Sequence, residues 1–177
     1  VMKAKKSKVY TKGENELINT VAEPSAVYGN DMSGAAMHTI GMMGMTGKKD
    51  FVTIRNEADF IQLIRNGIPR QAMDNLMNIA DISLTEMAAI IHTSDRTLRR
   101  YEASQRLSQE QSERIIEMAR LYSRGEEVMG SLDAFKEWMN TRLVSFGGSR
   151  PKDYLDTSLG IAMIMDELGR IQHGIFA

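Results

Sequence analysis

The chain contains no cysteine, which removes disulfides, thiolate catalysis and cysteine-ligated zinc together. Aromatic residues are few, at 6 %, so the apolar volume must come from aliphatic side chains and methionine. Charge of one sign is also missing: 22 Lys and Arg stand against 23 Asp and Glu, a net of −1. A generally basic nucleic-acid coat is thereby excluded, and any DNA contact must come from a local patch, doubled if the chain dimerises. No apolar run approaches the roughly 20 residues that cross a bilayer, and no charged-then-apolar leader opens the chain, so the expectation is a soluble, cytoplasmic protein without membrane contact. The histidines, His38, His92 and His173, are scattered without metal-ligand spacing, and no phosphate-cradling glycine loop follows a strand. The pairs Asp166-Glu167 and Glu126-Glu127 fall on different sides of a helix and read as solvated charge. These absences leave no catalytic residue, no metal and no cofactor to expect.

What is present is enough for a core: 42 % of the 177 residues are hydrophobic, in one larger domain or two small ones. Methionine is abundant, 14 residues, and suits irregular gaps or adaptable contact surfaces. Residues 1–50 carry Lys3, Lys5, Lys6, Lys8 and Lys12, then Gly29, Gly34, Gly41, Gly44 and Gly47 and no sustained period, which reads as a poorly ordered basic, Met/Gly-rich arm. Its cluster Met32, Met37, Met42, Met43 and Met45 reads either as a loose cover over apolar surface or as a partner or dimer contact.

From Phe51 onward the pattern is that of short capped helices, and the fold class is all-α. Asn56 can cap a helix with Phe60, Leu63 and Ile64 inward, Gly67 stops it and Pro69 opens the next. Ser83 with Glu86 and Ser108 with Gln111 are capping boxes; the second opens a helix bearing Ile115, Met118, Ala119 and Tyr122, which Gly125 is expected to stop. A helical domain over 51–128 and a smaller one over 129–177 follow. No segment alternates well enough to be a strand.

Within the first domain, 83–104 has helix-turn-helix grammar. Ala88 allows close crossing, His92 to Ser94 make the turn, and Leu98 plugs the angle. His92 occupies a position where glycine is usual, and histidine tolerates a left-handed conformation at some cost. The outer face of the second helix presents Arg96, Arg99 and Arg100, with Ser94 and Thr97 near its start, types suited to guanine edges and phosphates. The alternative is a solvated, salt-bridged face of an ordinary bundle. Residues 83–106 hold four arginines against Glu86, Asp95 and Glu102, so strong binding requires two copies on a palindrome.

In the second domain, Ser131 caps a helix with Leu132, Phe135, Trp138 and Met139 on one face, which makes the single tryptophan a core anchor. Gly147, Gly148 and Pro151 impose a tight turn. A last helix starts near Thr157 or Ser158 and ends at Gly174, leaving Ile175, Phe176 and Ala177 in need of a partner or a groove.

The order Trp138-Met139, Phe146 to Pro151, Tyr154 to Thr157, Gly160 and Leu168 to Ala177 resembles the C-terminal domain of Xre-type (MbcA/ParS-like) antitoxins of RES–Xre type II systems. Arg96 to Tyr101, Leu107-Ser108 and Ser112 to Arg114 are similar to that family's central domain. The resemblance covers roughly residues 55–177. It implies a cognate RES-domain toxin with an ADP-ribosyltransferase-like fold that consumes NAD, operator DNA as a second partner, and a homodimer that assembles with toxin into a larger hetero-oligomer. It further implies that 129–177 binds the toxin, with Gly169, Arg170, His173, Gly174, Phe176 and Ala177 plugging its active site while Gly147, Gly148 and Arg150 shape the platform. The competing reading is a stand-alone helix-turn-helix regulator without a toxin.

Overall fold

Helix starts in this chain are written in its side chains, and the computed structural model, which describes residues 31–51 and 54–174, shows the caps at work. The Asn56 side chain accepts from the Asp59 amide at 3.2 Å and the Asp59 carboxylate returns to the Asn56 amide at 3.1 Å, opening α2, Glu57–Asn66. Gly67 ends α2 at φ 74, ψ 139, a positive φ as expected but with extended ψ. A Cβ there would collide with the Leu107 carbonyl, so only glycine fits. Pro69 precedes α3, Arg70–Ala80, and Ser83 caps α4, Leu84–Ile90. Ser94 caps α5, Asp95–Arg100, and Ser108 caps α6, Gln109–Met129. Ser131 caps α7, Leu132–Asn140, and Thr157 caps α8, Ser158–Gln172. Between α7 and α8 lie two 3-10 turns, Val144–Phe146 and Pro151–Tyr154. No strand occurs among the described residues, and the class is all-α.

One expectation is overturned at the N-terminal side. Part of the stretch read as a poorly packed arm forms α1, Asp31–Met42, which lies along α6 and touches α3. Ala36, Ile40, Met42, Met43 and Met45 are all buried in the core, so most of the methionine cluster fills gaps in the interior. His38 meets Glu126 of α6 at 2.9 Å, and the Asn75 amide donates to the Met43 carbonyl at 3.0 Å. The lysines at 3–12 lie outside the described residues.

The axis of the molecule is α6, which packs on α1, α2, α3, α7 and α8. A helix surrounded in this way must be apolar on several sides, and Ile115, Ile116, Met118, Ala119, Leu121 and Tyr122 are buried almost without break. Gly125 does not stop it, contrary to the sequence reading: the helix continues to Met129 and Gly130 is the left-handed cap. The reason for Gly125 is lateral, since a Cβ there would overlap the Phe135 ring of α7. From that contact a ladder of rings ties the C-terminal elements together. Phe135 meets Tyr122 edge-on at 5.2 Å, stacks on Trp138 at 5.9 Å, and Trp138 reaches Phe146 at 6.2 Å. Trp138 itself is only half-buried, anchoring the edge of the core rather than its centre. A crossover through α7 lets α8 run parallel to α6, with Arg114 donating to Ser158 at one end and Arg124 to Gln172 at the other.

Candidate DNA-binding and partner-binding surfaces

The helix-turn-helix is held from both ends. At its start the Glu86 carboxylate accepts from the Ser83 amide at 2.9 Å and the Ser83 hydroxyl at 2.7 Å, and Lys152 lies 3.0 Å away. The Ser83 amide, then its hydroxyl, then Lys152 hold the Glu86 carboxyl down at about 2. Between the helices, His92 takes φ 53. Its amide donates to Ala89 at 3.2 Å and the Thr93 amide to Ala88 at 2.8 Å. That is the Schellman pattern with histidine in the left-handed position. Ala88 is buried where the helices cross and Leu98 is fully buried.

The recognition candidates fall on one short helix. Arg96, Arg99 and Arg100 are exposed on α5, at the i, i+3, i+4 spacing of a single face. Arg99 is held loosely by Asp95 at 3.8 Å, with its side chain 68 % exposed. Ser94 and Thr97 are differently employed: the Ser94 oxygen accepts from the Thr97 amide at 3.1 Å and the two hydroxyls bond at 2.8 Å. They set the helix start, and Thr85 fixes its angle to α4 by donating to Asp95 at 2.8 Å.

The C-terminal candidates divide into two places. Gly147 and Gly148 both take positive φ, and a Cβ on either would meet nothing, so their outer side is open. Arg150 is bound to Asp153 through Nη2 at 2.7 Å and Nε at 3.2 Å, which keeps the Asp153 carboxyl below its usual range. Its role in the fold is to lock the Pro151–Tyr154 turn. That turn abuts the start of α8, where a Cβ on Gly160 would overlap the Tyr154 carbonyl. Gly169, Arg170, His173 and Gly174 are at the far end of α8, about 18 Å away at 1.5 Å per residue, beside Arg124. Arg170 pairs with Glu167 at 2.5 Å and stays half-exposed, and Gly174 is left-handed at φ 68. Phe176 and Ala177 lie outside the described residues.

Sequence reading missed the apolar surface between those ends. Leu159 is 74 % exposed and Met163 40 %, and with Asp166 and Arg170 they make one outer stripe along α8. Val144, 96 % exposed, stands on the first 3-10 turn. The only hint in the sequence was that Leu159 and Met163 are out of step with the inward set Ile161, Ile164 and Leu168.

Residues 59–120 match the family model of the antitoxin Xre-like helix-turn-helix domain, and residues 124–174 that of the antitoxin Xre/MbcA/ParS C-terminal toxin-binding domain. The chain belongs to the Xre/MbcA/ParS antitoxin family. A curated relative from Sphingobium sp. (strain YBL2), named Prs ADP-ribosylating antitoxin, is 29 % identical over 67 % of this chain and 81 % of its own. An Antitoxin Xre from Yersinia enterocolitica is 28 % identical over 66 % and 80 %, and one from Photorhabdus laumondii 25 % over 64 % and 78 %. The domains that define the family are DNA-binding and toxin-binding, not catalytic. The seam between the two matches falls inside α6, which serves both. No helix among the described residues is long and apolar enough to cross a membrane.

Proposed function

We propose that this antitoxin acts in the cytoplasm, neutralises a RES-domain toxin that consumes NAD by occluding its active site, and, as a dimer, represses its own operon through α5. The observation that carries the reading is the exposed stripe of α8, which runs from Leu159 and Met163 to Arg170. Bare apolar side chains on a toxin-binding domain mark a surface that a partner covers. A cleft that holds a phosphate-bearing dinucleotide suits an arginine beside apolar groups, which is what Arg170 offers on one stripe with Met163 and Leu159. The name of the Sphingobium relative supports ADP-ribosyl chemistry on the toxin side. On the DNA side the arginines of α5 supply base and phosphate contacts, and Ser94 and Thr97 hold the helix start in place.

Deleting residues 169–177 is expected to abolish growth rescue in cells expressing the toxin and to leave operator binding intact. Rescue by the truncated chain would refute occlusion. Replacing Arg96, Arg99 and Arg100 together with Ala gives the reverse pattern, and an unchanged gel-shift affinity would refute α5 as the reader.

A further inference from the structure

Where the two domains meet, a cleft of about 320 Å³ opens between the end of α3, α4, the end of α7 and the segment 150–156, with Tyr122 of α6 at its floor. Tyr122 is 2 % exposed, yet its hydroxyl makes no hydrogen bond with any described residue. The ring is buried while the oxygen keeps its contact with the cleft, so the hydroxyl is a polar group without a partner among the described residues at the floor of the site, free to bond whatever enters. The lining selects the sign of that ligand. Asp81, Glu86, Asp153 and Asp156 stand against Arg150 and Lys152, and both cations are already engaged, by Asp153 at 2.7 Å and Glu86 at 3.0 Å. Asp81 is held from outside the cleft by Lys136 at 2.8 Å, which leaves Asp156 with no partner among the described residues. Burial, then the charges of Asp81 and Glu86, raise the Tyr122 hydroxyl above its ordinary range, so it remains neutral and offers its lone pairs in a negative field. Ala89, Ile90, Met139 and Leu155 make the walls apolar, as an alkyl stem behind a charged head requires. The volume lies at the low end for ligand sites, enough for one side chain or a small amine and too little for a dinucleotide.

We propose that this cleft binds an organic cation, a guanidinium or primary ammonium group, with the Tyr122 hydroxyl and the Asp156 carboxylate as its acceptors. The cation comes either from a small molecule or from an arginine or lysine of the bound toxin, and it touches both domains at once.

Two titrations test this. In the first, the full chain is titrated with ethylguanidinium at constant ionic strength and followed by amide chemical shifts, with urea as the neutral isostere. Saturable shifts confined to residues around Asp81, Asn140 and Leu155 are expected, with affinity at least about five-fold weaker in Tyr122→Phe and in Asp156→Asn. In the second, the affinity of the chain for its toxin is measured by calorimetry for the same variants; a loss of that size with operator affinity unchanged assigns the cation to the toxin. The proposal is overturned if ethylguanidinium acts no differently from urea and neither variant weakens toxin binding. The first titration needs no toxin, so its result stands apart from the occlusion reading above. Because the hydroxyl has no protein partner, Tyr122→Phe should unfold at or above the temperature of the parent chain, which separates loss of binding from loss of fold.

Discussion

At the turn of the helix-turn-helix, one side chain stands where its backbone is strained. His92 adopts φ 53, a conformation that costs an L-residue roughly 1 kcal/mol or more and that glycine takes freely. Glycine also loses more freedom on folding, so His92→Gly should gain a net stability of at most about 1 kcal/mol. Calorimetric unfolding checks it, and a lower midpoint would mean the imidazole makes a contact worth more than the strain. Nearby, the Glu86 carboxylate ties α4 to the C-terminal domain through Ser83 and Lys152. Its folded pKa of about 2 lies below the ordinary 4.5, so the ionised form is favoured by folding. That contribution is fully present above about pH 4.5 and is lost as pH falls towards 2. The side chain is 42 % exposed, so the effect is screened and modest. Glu86→Gln keeps the capping geometry without the charge; its midpoint should lie below the parent's at pH 7 and converge with it as pH drops through that window. A gap independent of pH would contradict the assignment. Arg150, expected from the resemblance to shape the toxin-binding platform, spends its fork on Asp153 and so braces the turn from within.

Elements were legible where a cap or a period announced them. Asn56, Ser83, Ser94, Ser108, Ser131 and Thr157 each open a helix by the side-chain contact their identity implies. α1 was not legible, because Gly34 and Gly41 interrupt its propensity and its residues are apolar without a clear face. Tertiary burial of Ile40 and Met43 against α6 supplies what local preference lacks. Gly125 misled for a related reason: as a letter it reads as a stop, and only the ring of Phe135, ten positions on, explains it. The outer stripe of α8 was hidden because a helix apolar on most sides shows little contrast between inward and outward positions. That stripe carries its own prediction. Leu159→Ser removes a side chain that is mostly in water and Met163→Ser one that is partly covered, so stability should change by no more than about 0.5 kcal/mol at the first site and about 1 kcal/mol at the second. Toxin affinity should fall about ten-fold or more if the stripe lies at the centre of the contact. Calorimetric titration with the toxin measures it, and retained affinity would move the contact elsewhere on the domain.

On the scale of the molecule, the decisive fact is that two domains share one helix. The seam at 128/129 drawn from sequence lies in the last turn of α6, whereas the packing does not divide there. Helix α6 packs on α1, α2 and α3, which precede it in the chain, and on α7 and α8, which follow it, and Tyr122 and Gly125 near its end receive Phe135 of α7. A buried cluster runs unbroken from Ala36 to Leu168. Two further ties cross between the domains, Lys152 to Glu86 at 3.0 Å and Lys136 to Asp81 at 2.8 Å. Neither half can therefore lose its structure without exposing apolar surface on the helix the other half needs. The whole chain should unfold in one cooperative step. Trp138 is the single tryptophan and sits in α7, so its fluorescence reports the C-terminal half alone while far-UV circular dichroism reports every helix. The two probes should give coincident denaturant transitions, and a fragment beginning at residue 129, deprived of α6, should show neither a cooperative transition nor toxin binding. Separated transitions, or a folded fragment, would mean that α6 belongs to the first domain only and that the DNA-binding and toxin-binding halves respond to their partners independently.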